Sequence, residues 1–287
     1  MTKNLVIYHA NCLDGITAAA IALDALHTEG GGVEAVPAAY GDTPPDVKDR
    51  RVYIVDFSYP RKALMEMHDQ AEFLVVLDHH KTAAKDLEGL RFATFDMNKS
   101  GAGLTWDYFK SWDLFPGVDE APKLVKHVED RDLWRFKLPN TKAFCAALKL
   151  QMGKRTEAEK LKYADALIDM DGRTYRQMLE EGDLLLEYQD ALILSICSKA
   201  YLKTFNDQLF MFVNAPRELA SEVGNFLCDV HDLPACVYHM DGTKIMVSLR
   251  SRNDLLDVSE VAQKYGGGGH RNAAGFSTDI MFAPDFF

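Results

Sequence analysis

The chain has 287 residues, of which 47% are hydrophobic, and this is enough to bury a core in one large domain or two smaller ones. Its formal net charge of −11 argues against a protein that grips long duplex DNA, because such proteins carry a large basic surface. An acidic chain can still draw a small anionic substrate or a short oligonucleotide into one local basic pocket.

The first part of the sequence alternates between strand-like and helical segments. Continuous apolar runs at residues 5–9, 51–56 and 73–78 predict buried strands, and residues 16–26 and 60–70 predict helices. Strands of this kind, separated by helices, are typical of a parallel sheet that is covered on both faces.

The pattern changes twice in the second part of the sequence. Residues 100–200 are mostly helical, and short β-like runs follow from residue 201 onward. We therefore predict an α/β protein with a parallel-sheet, metal-binding N-terminal domain over residues 1–190. This domain includes a helical connecting region, and a smaller α/β domain covers residues 201–287.

Three of the predicted strands end in polar residues, namely His9, Asp56 and Asp78. In open parallel sheets the ligand crevice lies beyond the carboxyl ends of the strands, so these side chains are expected at one edge. Asp78 is followed directly by His79 and His80, which add nitrogen donors to the carboxylates. Carboxylate and imidazole together suit a divalent metal ion.

Several motifs occur in a fixed order along the chain. They are Tyr-His-Ala-Asn-Cys-Leu-Asp-Gly at residues 8–15, Val-Asp at 55–56, Leu-Asp-His-His-Lys at 77–81, Ser-Gly-Ala-Gly at 100–103 and Asp-Arg-Asp-Leu-Trp at 130–134. A run of four glycines with His-Arg-Asn-Ala-Ala-Gly-Phe follows at 266–276. Together they resemble the DHH phosphoesterase superfamily with its C-terminal DHHA1 domain, and the details are most similar to the nanoRNase-like, oligonucleotide-degrading members.

The resemblance implies a hydrolase that uses two Mn²⁺ ions, with Mg²⁺ or Co²⁺ as substitutes. Carried over by position, Asp56 would bridge both ions. Asp14, His79 and Asp130 would complete one site, and His9 would belong to the other. Two metal ions can stabilise both the attacking and the leaving oxygen of a phosphodiester.

Two candidate carboxylates compete for the last ligand position of the first site. Asp130 better matches the placement in the family, whereas Asp132 could instead pair with a neighbouring arginine or cap a helix. We therefore predict Asp130 as the ligand.

The resemblance also implies that His80 faces the substrate phosphate and that Asp78 orients the neighbouring histidine. One position departs from the family pattern, because Cys12 stands where a second aspartate is usual, two residues before Asp14. The second ion would then have fewer protein ligands, or would be held by Cys12 or Asn11. A packed thiol is favoured because thiolate suits Mn²⁺ poorly.

The glycine run predicts a phosphate-binding loop, because glycines let backbone N–H groups approach an anion closely. Gly268, Gly269, His270 and Arg271 are the predicted contacts, with a hinge or a helix cap as the alternative. Arg250, on a predicted strand, is expected to bind a second phosphate or to be solvated.

Ser100 opens a helical stretch, and the N-terminus of a helix is an anion site. We predict that Ser100 contacts the substrate; a plain helix cap is the alternative.

The expected function is hydrolysis of nanoRNA or dinucleotides to nucleoside monophosphates, in a cleft between the two domains. The alternatives are a cyclic-dinucleotide phosphodiesterase and a non-catalytic nucleotide sensor. The partner would be a short single-stranded oligonucleotide or a dinucleotide, and the chain could form a homodimer. No apolar run approaches the ~20 residues that cross a bilayer, and neither a signal peptide nor a disulfide framework is evident, so a cytoplasmic protein without membrane contact is expected.

Overall fold

The computed structural model describes residues 3–28, 32–252 and 254–280. They fall into two compact units that divide between Leu186 and Glu187. Each unit consists of a β-sheet packed with helices, and the sheet of the first unit is entirely parallel over the described residues. The prediction of an α/β protein with a parallel sheet in its N-terminal part is therefore confirmed.

The elements of the first unit follow one another in an alternating order. They are β1 (Asn4–His9), α1 (Leu13–Thr28), β2 (Val33–Ala38), β3 (Arg51–Val55), α2 (Arg61–Gln70), β4 (Phe73–Asp78), α3 (Lys81–Asp86), β5 (Ala93–Phe95), α4 (Gly101–Ser111), α5 (Lys123–Asp132), α6 (Thr141–Gly153), α7 (Glu157–Ile168) and α8 (Gly172–Cys197). The last of these helices continues into the second unit.

The second unit is built around a mixed sheet. Its elements are β6 (Tyr201–Phe205), β7 (Gln208–Asn214), a 3₁₀ turn (Arg217–Leu219), α9 (Ala220–His231), β8 (Ala235–Asp241), β9 (Lys244–Arg250), α10 (Val258–Lys264), β10 (Gly268–His270) and β11 (Ala273–Asp279). The strands lie in the order β10-β11-β9-β8-β7-β6, and of their pairings only that of β7 with β8 is parallel among the described residues.

The strand order of the first sheet determines where a site can form. The order is β2-β1-β3-β4-β5, so the chain first builds to one side of β1 and then crosses to the other side. The order therefore reverses between β1 and β3. In open parallel sheets this reversal opens a crevice at the carboxyl ends of the strands.

The three central strands are buried on both faces. Successive residues alternate between two apolar clusters: Leu5 and Ile7 pack in one, whereas Val6 and Tyr8 pack in the other. The same alternation holds along β3 and β4. A strand that is buried on both sides is a near-continuous apolar run, which explains why the sequence pattern identified these strands.

The helices of the described part are either too short or too polar to cross a lipid bilayer.

Candidate metal centre

The carboxyl ends of β1, β3 and β4 carry the polar residues that the sequence pattern singled out. His9 and Asp78 are the last residues of their strands, and Asp56 directly follows β3. The backbone of Asp56 is left-handed, with φ of 54°, and its N–H donates to the carbonyl of Leu77 at 2.9 Å. This conformation is uncommon outside glycine, although aspartate tolerates it better than most residues. The turn therefore directs Asp56 away from the strand while the sheet still holds its backbone.

One imidazole nitrogen lies at the centre of three carboxylates. His79 Nε2 is 3.2 Å from Asp56 Oδ1, 3.7 Å from Asp14 Oδ2 and 3.5 Å from Asp132 Oδ2. The side chains of His79, Asp14 and Asp56 are almost completely buried. Residues from four separate segments of the chain therefore meet within a few ångströms.

This cluster has more negative charge than its own cation can balance. Burial and the charge of Asp56 raise the pKa of Asp14, and burial also raises that of Asp132, although His79 opposes it. Burial alone would lower the pKa of His79, but the hydrogen bond to Asp56 and the other carboxylates raise it to about 10. A divalent cation would relieve the repulsion among the three carboxylates.

Asp56 is shared by two groups of candidate metal ligands. The ligand atoms of Asp14, Asp56 and His79 all lie within 4.8 Å of one another, and the same holds for His9, Asp56 and His80. Asp56 Oδ2 and His9 Nδ1 are 3.6 Å apart, and over the described residues both are buried without a hydrogen-bond partner. Buried polar atoms of this kind are costly unless something binds them. The residues present therefore fit a divalent metal ion, and Asp56 belongs to both groups of candidate ligands.

His80 is oriented by Asp78. The Asp78 carboxylate accepts a bond from His80 Nδ1 at 2.7 Å and another from the backbone N–H of His79 at 2.7 Å. Burial lowers the pKa of His80, but the charge of Asp78 outweighs it and raises that pKa. With Nδ1 bonded to Asp78, the Nε2 atom of the ring is turned away from that carboxylate.

The N-terminus of α4 binds an anion of the protein itself. The Asp14 carboxylate accepts bonds from the backbone N–H of Gly101 at 2.5 Å and of Ala102 at 3.1 Å. Ser100 is fully buried; its hydroxyl bonds to Asp14 and accepts the N–H of Gly103 at 3.1 Å. This helix end therefore binds Asp14, and the hydroxyl of Ser100, the predicted substrate contact, is engaged in the same bonds.

The structure brings Asp132, and not the predicted ligand Asp130, close to His79. Asp130 turns away from His79 and accepts bonds from the backbone N–H of Lys137 at 2.8 Å and of Leu138 at 3.1 Å, and from the Thr141 hydroxyl at 2.6 Å. These bonds stabilise the loop between α5 and α6. Asp132, one half-turn further along α5, faces His79.

Cys12, which stands where the family pattern has a second aspartate, and the adjacent Asn11 have interactions of their own. Burial and the neighbouring carboxylate of Asp56 raise the pKa of the Cys12 thiol. The side-chain oxygen of Asn11 accepts a bond from Lys160 Nζ at 3.1 Å. Asn11 is thus bonded to a lysine, and Cys12, close to the carboxylates, favours its protonated thiol form.

The glycine run of the second unit is partly strand and not an open loop. Gly268 and Gly269 belong to β10, which pairs with β11. A Cβ atom at Gly267 would lie 2.1 Å from the carbonyl oxygen of Gly275, and one at Gly269 would lie 2.6 Å from that of Ala273. Close packing thus requires glycine at both positions. The phosphate-binding prediction depends instead on the side chains that follow.

The predicted basic contacts of the second unit differ in their surroundings. Arg250 donates to the Ser221 hydroxyl at 2.7 Å and packs against Gly224, so its guanidinium lies on α9. Because α9 already binds this guanidinium, these contacts argue against the prediction that Arg250 binds a phosphate. Arg271 follows His270, the last residue of β10; its Nη1 is 3.4 Å from Asp257 and its side chain remains 46% exposed.

Comparison with known proteins identifies relatives for most of the chain. Residues 208–283 match the model of the DHHA1 domain. An uncharacterized protein, R106, of Acanthamoeba polyphaga mimivirus is 32% identical over 80% of this chain and 54% of its own length. Oligoribonuclease NrnB of Bacillus subtilis (strain 168) is 27% identical over 72% of this chain and 53% of its own length. The chain therefore spans about half the length of these two curated relatives.

Among solved structures, RecJ from Thermus thermophilus in complex with Mn²⁺ shares the fold. The similarity covers 99% of this chain and 51% of RecJ, with a TM-score of 0.60 and 16% identity. The two chains thus share a fold despite having little sequence in common.

Proposed function

Because the chain belongs to the DHH/DHHA1 superfamily, we propose that it is a divalent-metal-dependent phosphodiesterase that hydrolyses short oligonucleotides or dinucleotides to nucleoside monophosphates. The observation that carries this proposal is the pair of ligand groups that share buried Asp56. The oligoribonuclease relative supports an oligonucleotide substrate, and RecJ was solved with Mn²⁺.

The first ion would be held by Asp14, Asp56, His79 and Asp132, which together offer oxygen and nitrogen donors that suit Mn²⁺. The second would have Asp56 and His9 as its protein ligands. We therefore propose that the first ion binds more tightly than the second. Bound divalent ions would lower the pKa of an attacking water molecule and stabilise charge on the attacking and leaving oxygens.

We assign the protein's own contribution to the phosphate chiefly to His80. Its Nδ1 donates to Asp78 at 2.7 Å, and the charge of Asp78 raises the pKa of the imidazole above its usual value. When the ring is protonated, Nε2–H can donate a charge-assisted hydrogen bond to a phosphate oxygen. Asp78 stabilises this charged form and sets the orientation of the ring.

We assign phosphate recognition in the second unit to His270 and Arg271. Arg271 presents a partly exposed guanidinium, whose planar donors match phosphate oxygens. This recognition would favour substrates that carry a second phosphate or a terminal one.

The test is a product time course on labelled RNAs of two to ten nucleotides and on cyclic dinucleotides, with and without added Mn²⁺. We expect Mn²⁺-dependent release of nucleoside monophosphates, with the shortest RNAs cleaved fastest. Asp56→Ala should abolish turnover more completely than any other single change, because it removes the ligand that both groups share. Asp69→Ala, which removes a carboxylate with 76% of its side chain exposed, should leave turnover unchanged.

Three outcomes would contradict the proposal. Cleavage of cyclic dinucleotides alone would identify a signalling phosphodiesterase, and tight binding without any turnover would identify a nucleotide sensor. Normal turnover by Asp56→Ala with unchanged Mn²⁺ content would show that the metal site is assigned wrongly.

A further inference from the structure

An exposed aromatic ring lies beside the candidate metal centre. The ring centroid of Tyr40 is 5.6 Å from that of His9 and 6.1 Å from that of His80, with both pairs close to edge-to-face. On its inner side the ring is 5.0 Å from the fully buried ring of Phe57. Tyr40 nevertheless keeps 57% of its surface exposed.

A tight turn after β2 holds this ring in place. The N–H of Asp42 donates to the carbonyl of Ala39 at 3.0 Å, and the Asp42 carboxylate accepts the N–H of Ala39 at 2.8 Å. Gly41, with φ of 100°, occupies the position at which a turn of this kind needs a left-handed residue. Both ends of the turn are therefore tied together around Tyr40, which limits the entropy lost when the ring binds a ligand.

The neighbourhood of this ring indicates what it could bind. A nucleotide whose phosphate contacts His80 carries its base close by, because base and phosphate are joined through a single ribose. Every nucleobase has a flat apolar face, and stacking on an aromatic side chain tolerates any base sequence. An exposed ring that a buried phenylalanine supports is suited to this kind of contact.

We propose that Tyr40 is a substrate-binding residue on which the nucleobase next to the scissile phosphate stacks. This inference rests on the proposed function and deepens it, because it explains how the site would select nucleotides over other phosphodiesters. Stacking requires the ring and not the hydroxyl, so Tyr40→Phe should behave like the native protein. Tyr40→Ala should raise KM for the dinucleotide pApA about tenfold.

The experiment compares pApA with two analogues in which one or the other nucleotide carries an abasic ribose. On the analogue that lacks the stacked base, native protein should already show the raised KM, and Tyr40→Ala should change it less than about twofold. Tyr188→Ala is the matched control, because Tyr188 is 68% exposed on α8, and it should leave KM unchanged. Tm and Mn²⁺ content are measured on every variant. If Tyr40→Ala fails to fold, Tyr40→Leu, which keeps an apolar contact with Phe57 but has no flat ring, replaces it.

Two results would overturn the inference: an unchanged KM for pApA in a folded variant without the ring, or a Tyr40→Phe variant as impaired as Tyr40→Ala. The second result would indicate a hydroxyl contact to phosphate. A native protein that does not hydrolyse pApA would contradict the proposed function alone. In that case the stacking inference is tested by the fluorescence of a 2-aminopurine dinucleotide. Stacking on Tyr40 should quench this fluorescence in native protein and not in Tyr40→Ala.

Discussion

Gly101 lies directly against Asp56. A Cβ atom at position 101 would stand 2.4 Å from the Cβ of Asp56, a separation that real structures do not tolerate. The N–H of the same glycine donates to Asp14 at 2.5 Å. A single backbone position at the start of α4 therefore sets the place of two proposed metal ligands without being a ligand itself.

Replacing this glycine tests whether the placement matters. We expect Gly101→Ala to displace Asp56 and to weaken Mn²⁺ binding roughly 10- to 100-fold, the range that is typical of residues supporting metal ligands. Overpacking should also lower the free energy of unfolding by about 1–3 kcal/mol. Gly153→Ala is the control, because a Cβ there would meet nothing within 4 Å at the end of α6. Equal Mn²⁺ affinity for both variants, measured by titration, would show that the contact does not position the site.

The roles of Asp130 and Asp132 can be separated by measuring stability with and without metal. Asp132→Asn should weaken Mn²⁺ binding about 100-fold or more while the stability of the metal-free protein stays equal or rises, because one of three crowded carboxylates becomes neutral. Asp130→Asn should lower stability by about 1–3 kcal/mol in both states, because it disrupts three bonds to the loop. Loss of metal affinity in Asp130→Asn alone would restore Asp130 as the ligand.

Arg271 and Arg252 provide a matched pair for phosphate binding in the second unit. Arg271→Ala should raise KM for pApA strongly, by about tenfold, without changing Mn²⁺ content, since it removes a charge-assisted contact and no metal ligand. Arg252→Ala should leave KM unchanged, because this guanidinium is already surrounded by Asp229, Asp232 and Asp254. A lowered Tm with unaltered KM in Arg271→Ala would mean that Arg271 only stabilises the start of α10 through Asp257.

His127 should make stability depend on pH. Thr141 donates its hydroxyl hydrogen to Asp130 and so accepts from His127 Nδ1 at 2.9 Å, which leaves Nε2 to accept from the Tyr175 hydroxyl at 2.9 Å. This network needs a neutral ring, and burial lowers the pKa of His127 below its usual 6.5. As the pH falls, His127 of the unfolded chain binds a proton at a higher pH than His127 of the folded protein. The stabilisation by the neutral ring is therefore fully present above pH 6.5 and is lost as the pH falls below that value.

The measurement is the free energy of unfolding between pH 7.5 and pH 5 for the native protein and His127→Asn. The native protein should be more stable than the variant at pH 7.5, and the difference should shrink toward pH 5. His231→Asn, at an exposed position at the end of α9, serves as the control and should parallel the native curve. A constant difference between native protein and His127→Asn across this range would contradict a neutral, buried His127.

The fold class could be read from the sequence because burial on both faces leaves a direct local signature. Val6 and Ile7 point to opposite sides of the sheet, yet both must be apolar, so the strand is a continuous hydrophobic run. The polar residues that end these runs, His9, Asp56 and Asp78, were visible for the same reason. Parallel strands also carry their ends to one edge, and topology alone therefore brings distant donors close together.

Three features of the candidate site depended on tertiary structure. Asp130 and Asp132 have the same chemistry and are separated by one residue, and only the direction of α5 decides which of them faces His79. Ser100 matched a motif, but the anion at its helix end is Asp14. Tyr40 belongs to no motif, and its position beside His80 follows from a turn and from Phe57 beneath the ring. Local sequence determined which segments form strands and which residues end them, because burial acts on every residue of a strand. The direction of each side chain depended on contacts between segments far apart in the chain, and no local pattern records those contacts.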